Sequence, residues 1–282
     1  MNTCVFKYPF SPCINNWGLK GIFICLGIVG WLNSMAQAGF QVAPARLFFH
    51  QQNGAPQTAV VHVNNPTAAR LVLQITCADW RRDSTGAKIY APPGTFKTSC
   101  CSALRISPSF VELAAGEQKD IVVTLAADSK LSTSQISNAM LLLTQSNEQD
   151  LTKTQVIAPQ LVIRIQIGVH VYFLPKPDLP AAIDITHLEV SKQKDQHFVR
   201  VSVKNSGQSL LESQLRLEYL SLQTMEELKA EPVPVNTMPN DHFWVTASVP
   251  STLPIGKYLI VAVLDNGPGI PLKVAELEAE IK

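Results

Sequence analysis

The residues in this chain that could do chemistry fall into three small sets. The first is a trio of thiols, Cys77, Cys100 and Cys101. In an oxidising compartment they support one bridge, from Cys77 to Cys100 or to Cys101, and leave one thiol free. No histidine stands at ligand spacing from them, so no metal site is expected. The second set is the six histidines, His50, His62, His170, His187, His197 and His242. They are scattered, and each reads as a solvated strand residue rather than a ligand or a base. The third is Asp79 to Gly86, the most polar turn of the first half. It reads as a charged hairpin with Ser84, Thr85 and Gly86 at its tip and Trp80 as a core or rim aromatic.

Beyond these sets the chemistry thins out. The chain has no Gly-x-Ser-x-Gly elbow, no His-Glu-x-x-His, no phosphate-cradling glycine loop and no calcium-loop pattern. Asp265 to Gly269 reads as a hairpin loop, not a cofactor loop. The expectation is a protein that is not an enzyme and needs no cofactor.

The elements that must position these residues begin after the first 38. That stretch carries only Lys7 and Lys20 as charges, an apolar run from Gly21 to Leu32, and Ala36-Gln37-Ala38, the small-x-small pattern of a signal peptidase site. Twelve apolar residues are too few to span a bilayer, which needs about 20. The expected product is an exported chain starting at Gly39, with no later membrane span. Cys4, Cys13 and Cys25 would leave with the leader. What remains has 21 Lys and Arg against 22 Asp and Glu. A net charge of −1 gives no electrostatic reason to expect nucleic acid or an anionic membrane as partner.

The rest reads as short strands cut by Pro, Gly and Asn. Strands are expected at Val42–Phe49, Thr58–Asn64, Arg70–Trp80, Leu104–Pro108 leading into Val111–Leu113, Ile121–Leu125 and Asn138–Gln145. Leu161 to Phe173 then alternates without a break, with Leu161, Ile163, Ile165, Ile167, Val169, Val171 and Phe173 on one side. At ~3.3 Å per residue such a strand spans roughly 43 Å, about twice the usual length. It either joins two domains or offers a surface to another chain. Pro175, Pro177 and Pro180 make a stiff connector. A second set of strands follows: Ile185–Val190, Phe198–Lys204, Gln214–Leu222, Pro232–Val235, Phe243–Val249, Lys257–Asp265 and Lys273–Ile281. Val61-x-Val63-x-Asn65 recurs as Val201-x-Val203-x-Asn205. The expected fold is all-β, two tandem immunoglobulin-like β-sandwiches, at 39–174 and 181–282, joined by 175–180.

Four stretches resemble the PapD-like periplasmic chaperones of pilus and fimbria assembly. They are Val42-Ala43-Pro44-Ala45-Arg46-Leu47-Phe48-Phe49, then Val61-His62-Val63-Asn64-Asn65, then Leu104 to Pro108 through Leu113 and Gly116, and the long strand ending Val171-Tyr172-Phe173-Leu174-Pro175. The resemblance implies a cleft between two domains and a client subunit lacking its last strand. The chaperone would lend its long strand to that gap. Leu161, Ile163, Ile165 and Ile167 are the implied donor residues, and burying four such side chains could contribute on the order of 6–12 kcal/mol before association costs.

The resemblance further implies that an arginine of the first strand and a lysine of the long strand anchor the client's C-terminal carboxylate. Arg46 matches the arginine, and its forked donors suit a carboxylate. The lysine position, counted back from Pro175, holds His170, and Arg164 is the nearest cation on that strand. This departure points to a divergent member of the family. The implied function is a non-enzymatic periplasmic chaperone for secreted β-rich, pilus-type subunits, with an outer-membrane usher as a further partner. The alternative is a structural or adhesive envelope protein of immunoglobulin-like modules with no client.

Overall fold

The computed structural model describes residues 39–51, 55–127, 131–146, 164–175, 178–194 and 196–282. Short alternating runs satisfy their backbone groups only by pairing with one another, and here they form two immunoglobulin-like β-sandwiches in tandem. In the first, one sheet has β1 (Gln41–Ala43), β3 (Gln57–Asn64), β8 (Gln118–Leu125) and β6 (Leu104–Ser107) in that order. The other runs β2 (Arg46–His50), β10 (Gln166–Leu174), β9 (Ser137–Gln145), β4 (Leu71–Arg82) and β5 (Lys88–Ala91), with β7 (Phe110–Leu113) also on β4. The second sandwich sets β11 (Ile183–Gln193), β12 (Gln196–Asn205) and β16 (His242–Ser248) against a second sheet. That sheet orders β14 (Glu227–Lys229), β13 (Leu211–Ser221), β17 (Gly256–Asp265) and β18 (Lys273–Ile281), with β15 (Val233–Thr237) on β13. Among the described residues the strand pairs are antiparallel except β2 with β10.

The β2/β10/β9/β4 sheet is greasy on both sides, and this positions the site. With a period of two, Leu47, Phe49, Leu73, Ile75, Leu141, Leu143, Val169 and Val171 face the core of the first sandwich. The alternate residues Trp80, Met140 and Tyr172 face the other way and form a small cluster with Ile136 and with Met238 of the second sandwich. Gly39–Lys282 is accordingly one compact unit. The second sandwich has its own core, including Val199, Val201, Val203, Leu217, Tyr219 and Ile260.

Several expectations need correcting. The first strand is not continuous from Val42 to Phe49. Pro44 has no N–H to give a ladder, so the chain leaves one sheet after Ala43 and joins the other at Arg46. The long strand is described from Gln166, not Leu161. Its pairing partner β9 ends at Gln145, whose N–H reaches across to the carbonyl of Ile165. Leu161 and Ile163 lie outside the described residues. The short β5 and β14 were missing from the sequence reading, as was the extension of β4 to Arg82.

The repeated Val-x-Val-x-Asn marks equivalent corners. Asn65 and Asn205 are both fully buried. Asn65 donates to the carbonyls of Ala69 and Ala114 and accepts from Thr67 N–H; Asn205 donates to the Ser209 carbonyl and accepts from Gly207 N–H. The structure joins Cys77 to Cys101, with Cα atoms 5.9 Å apart, and leaves Cys100 as the buried thiol. Burial, then the nearby Asp79 carboxylate, pushes that thiol up to about 12.

Candidate functional site

An edge of sheet is open where β10 begins. β2 pairs with β10 only from Arg46 opposite His170 onward. Upstream of that register β10 has β9 on one side and, among the described residues, no strand on the other. In an antiparallel ladder, alternate residues turn their N–H and C=O toward opposite neighbours. Ile165 C=O binds β9, whereas His170 N–H binds Ala45 C=O on the β2 side at 3.0 Å. The same parity sends the backbone groups of Gln166 and Gly168 to the open side. Ile165 and Ile167 are half-buried against the first core, so they offer an outer surface but not their whole side chains.

Cations collect where the open edge ends. Arg46 lies opposite His170 in register, on the face turned to the second sandwich, and its guanidinium pairs with Glu212 of β13. Lys88 reaches the same place from β5, with Nζ 2.9 Å from His170 Nε2. The Tyr172 hydroxyl lies 3.1 Å from His170 Nδ1. His170 stacks on the Tyr172 ring (centroids 5.7 Å apart, 8° between planes) and meets the Trp80 ring edge-on at 4.8 Å. Phe48 extends this ladder of rings outward, stacked on Tyr172 at 5.4 Å. Trp80 is held from both sides: its indole N–H donates to the Ala139 carbonyl and its own carbonyl accepts from Asn138.

The electrostatics follow from this crowding. Burial lowers His170 to about 4, and Lys88, Arg46 and Arg82 add to the shift, so the imidazole is neutral at pH 7. Lys88 is pushed below the usual lysine value by burial first, then by Arg82 and Arg46. Burial, more than its neighbours' charges, lifts the Tyr172 hydroxyl to about 12. Arg82 lies between the rings of Trp80 and Phe243 and pairs with Asp241 at 3.3 Å. A cavity of about 850 Å³ opens beside this pair, between the sandwiches, lined by Trp80, Ile136, Asn138, Met238 and Asp241 among others.

Of the residues singled out from sequence, the structure brings Arg46 and His170 together. Arg164 is exposed and precedes the strand. His170 is no solvated strand residue, and its neutral ring is not itself a cation for a carboxylate. The sequence reading missed Lys88, and placed Arg82 in the charged turn without a role at this site. That turn closes the hairpin placing Arg82 opposite Lys88.

No family model matches the chain, and no curated protein matches it. Among solved structures it is similar to the CsuC–CsuE chaperone–tip adhesion subunit pre-assembly complex of archaic chaperone-usher Csu pili from Acinetobacter baumannii. The identity is 14%, over 85% of this chain and 98% of that chain, with a TM-score of 0.46. It is also similar to the class 5 fimbriae chaperone CfaA, at 14% identity over 85% and 98% with a TM-score of 0.44. A third is the Salmonella enterica SafA pilin in complex with the SafB chaperone, at 13% identity over 85% and 96% with a TM-score of 0.40.

Proposed function

We propose that this chain is a non-enzymatic chaperone, exported to the periplasm with its leader removed after Ala38, that caps secreted β-rich subunits of the pilus type by strand addition. One observation carries the reading: the open edge of β10 runs directly into a cluster of cations headed by Arg46. An added strand pairs with Gln166 and Gly168 and must stop where β2 starts. Since β2 runs parallel to β10 and continues the same line, a client strand whose carboxylate ends at Arg46 also runs parallel to β10. Each backbone hydrogen bond adds about 0.5–1.5 kcal/mol, and a charge-assisted pair to the terminal carboxylate is stronger. Ile165 and Ile167 contribute only the part of each side chain that their own core leaves uncovered, at most about a third of the 1.5–3 kcal/mol of full burial. The terminal anchor therefore matters more here than the row of four donor residues implied. Leu161 and Ile163 complete the proposed donor row outside the described residues, and an outer-membrane usher would receive the complex.

The test exports the chain together with a sandwich subunit that lacks its last strand, and purifies by a tag on the subunit. The chaperone is expected to copurify, and Arg46→Ala is expected to abolish copurification while circular dichroism stays unchanged. Copurification of the folded Arg46→Ala variant at the wild-type level would overturn the seat and, with it, the reading.

A further inference from the structure

A lysine ammonium has three donors and no acceptor. The 2.9 Å contact between Lys88 Nζ and His170 Nε2 therefore has one sense: Lys88 donates and the ring nitrogen accepts. The ring proton must then sit on Nδ1, where it donates to the Tyr172 oxygen at 3.1 Å. The imidazole is wired at both nitrogens and clamped between the Tyr172 and Trp80 rings. Lys88, whose ammonium also lies over the Trp80 ring at 5.7 Å, uses one of its donors in this way. Among the described residues no carboxylate pairs with it, and the nearest charges around it are the like charges of Arg82 and Arg46. Arg46 and Arg82 each have a carboxylate from the second sandwich, Glu212 and Asp241. A cation held among cations, with donors unspent, is a seat for an anion from elsewhere.

Resting on the function proposed above, we infer that Lys88, delivered from β5, is the second cation of the client's carboxylate seat, and that His170 is a positioning residue which aims it. The cation that a strand-borne lysine would supply from β10 comes instead from the neighbouring hairpin.

The experiment measures capture of the same exported subunit, with its native terminus and with two residues appended to it. Lys88→Met keeps the stem over Trp80 and removes the charge; it is expected to weaken capture by about tenfold or more. His170→Ala leaves the charge but frees the ammonium, and is expected to weaken capture by less. Adding His170→Lys to Lys88→Met is expected to restore capture to within a few-fold, because β10 then carries the cation itself. The Lys88→Met loss should shrink to nothing with the extended subunit, whose carboxylate no longer reaches the seat. Capture within twofold of wild type for folded Lys88→Met, while Arg46→Ala abolishes it, overturns the inference and leaves the function standing. Should Lys88→Met fail to fold, the single His170→Lys variant decides. Capture at or above the wild-type level supports the inference, because the seat accepts a cation from either strand; loss of capture in a folded His170→Lys overturns it.

Discussion

His170 shows how a residue can belong to a charged site by staying neutral. Its ordinary value of 6.5 is lowered to about 4 by burial, with Lys88, Arg46 and Arg82 adding to the shift. Between those two values the unfolded chain takes up a proton that the folded chain refuses, so stability rises with pH across the window. The contribution is complete above about 6.5 and is lost as pH falls toward about 4. His170→Gln has no proton to gain. Urea midpoints measured at pH 7 and pH 5 should therefore fall further for the wild-type chain than for the variant, and an equal fall in both would refute the assignment. The same residue marks the limit of sequence reading at this scale. Arg46 was singled out from its place in the run Val42 to Phe49, although it opens β2 rather than the first strand. Lys88 was not, because only the folding of the β4–β5 hairpin brings it against His170. The cysteines were half legible: their number required one bridge, but the choice of Cys101 depends on how the short turn Cys101–Ala103 faces β4.

At the scale of elements, the hairpin that carries Lys88 also contacts the second sandwich. Its turn holds Gly86 at a φ of +84°, and a Cβ there would come within 3.0 Å of the Phe243 ring. Gly116 has a comparable φ of +71° in the turn before β8, with open space around it. Gly116→Ala should lose about 1–2 kcal/mol from left-handed strain alone. Gly86→Ala should lose that and more, because the ring must move, and Phe243→Leu should remove the excess. Denaturant unfolding of the three variants checks this; equal losses at the two glycines would mean that the ring yields freely. Elements were legible where alternation was long and well bounded: Lys273–Ile281 was read with the bounds it has. They were not legible where another sheet decides the path. The run from Val42 to Phe49 alternates as one strand, and only its division between two sheets at Pro44 shows it to be two. β5, just Lys88–Ala91, has too few residues to display a period.

At the scale of the whole molecule, two ion pairs among the described residues cross from one sandwich to the other, and they differ in kind. Arg82 and Asp241 are largely enclosed, with side chains 14% and 11% exposed, and burial raises the Asp241 carboxyl above its usual range. Removing one partner would strand a buried charge, so this pair fixes the junction. Arg46 and Glu212 lie in the open, at 36% and 56%, and such a pair contributes little to stability. Glu212→Gln should accordingly leave the denaturant midpoint nearly unchanged while slowing the departure of a captured subunit, read by competition with an untagged subunit; an unchanged off-rate would exclude Glu212 from the exchange. The reason lies in that single solvent-facing contact. On the proposed function, Glu212 would stand in for the visitor's terminus, and leaving would be a substitution rather than a rupture. The guanidinium would then exchange one carboxylate for another and keep a partner at both ends of the step.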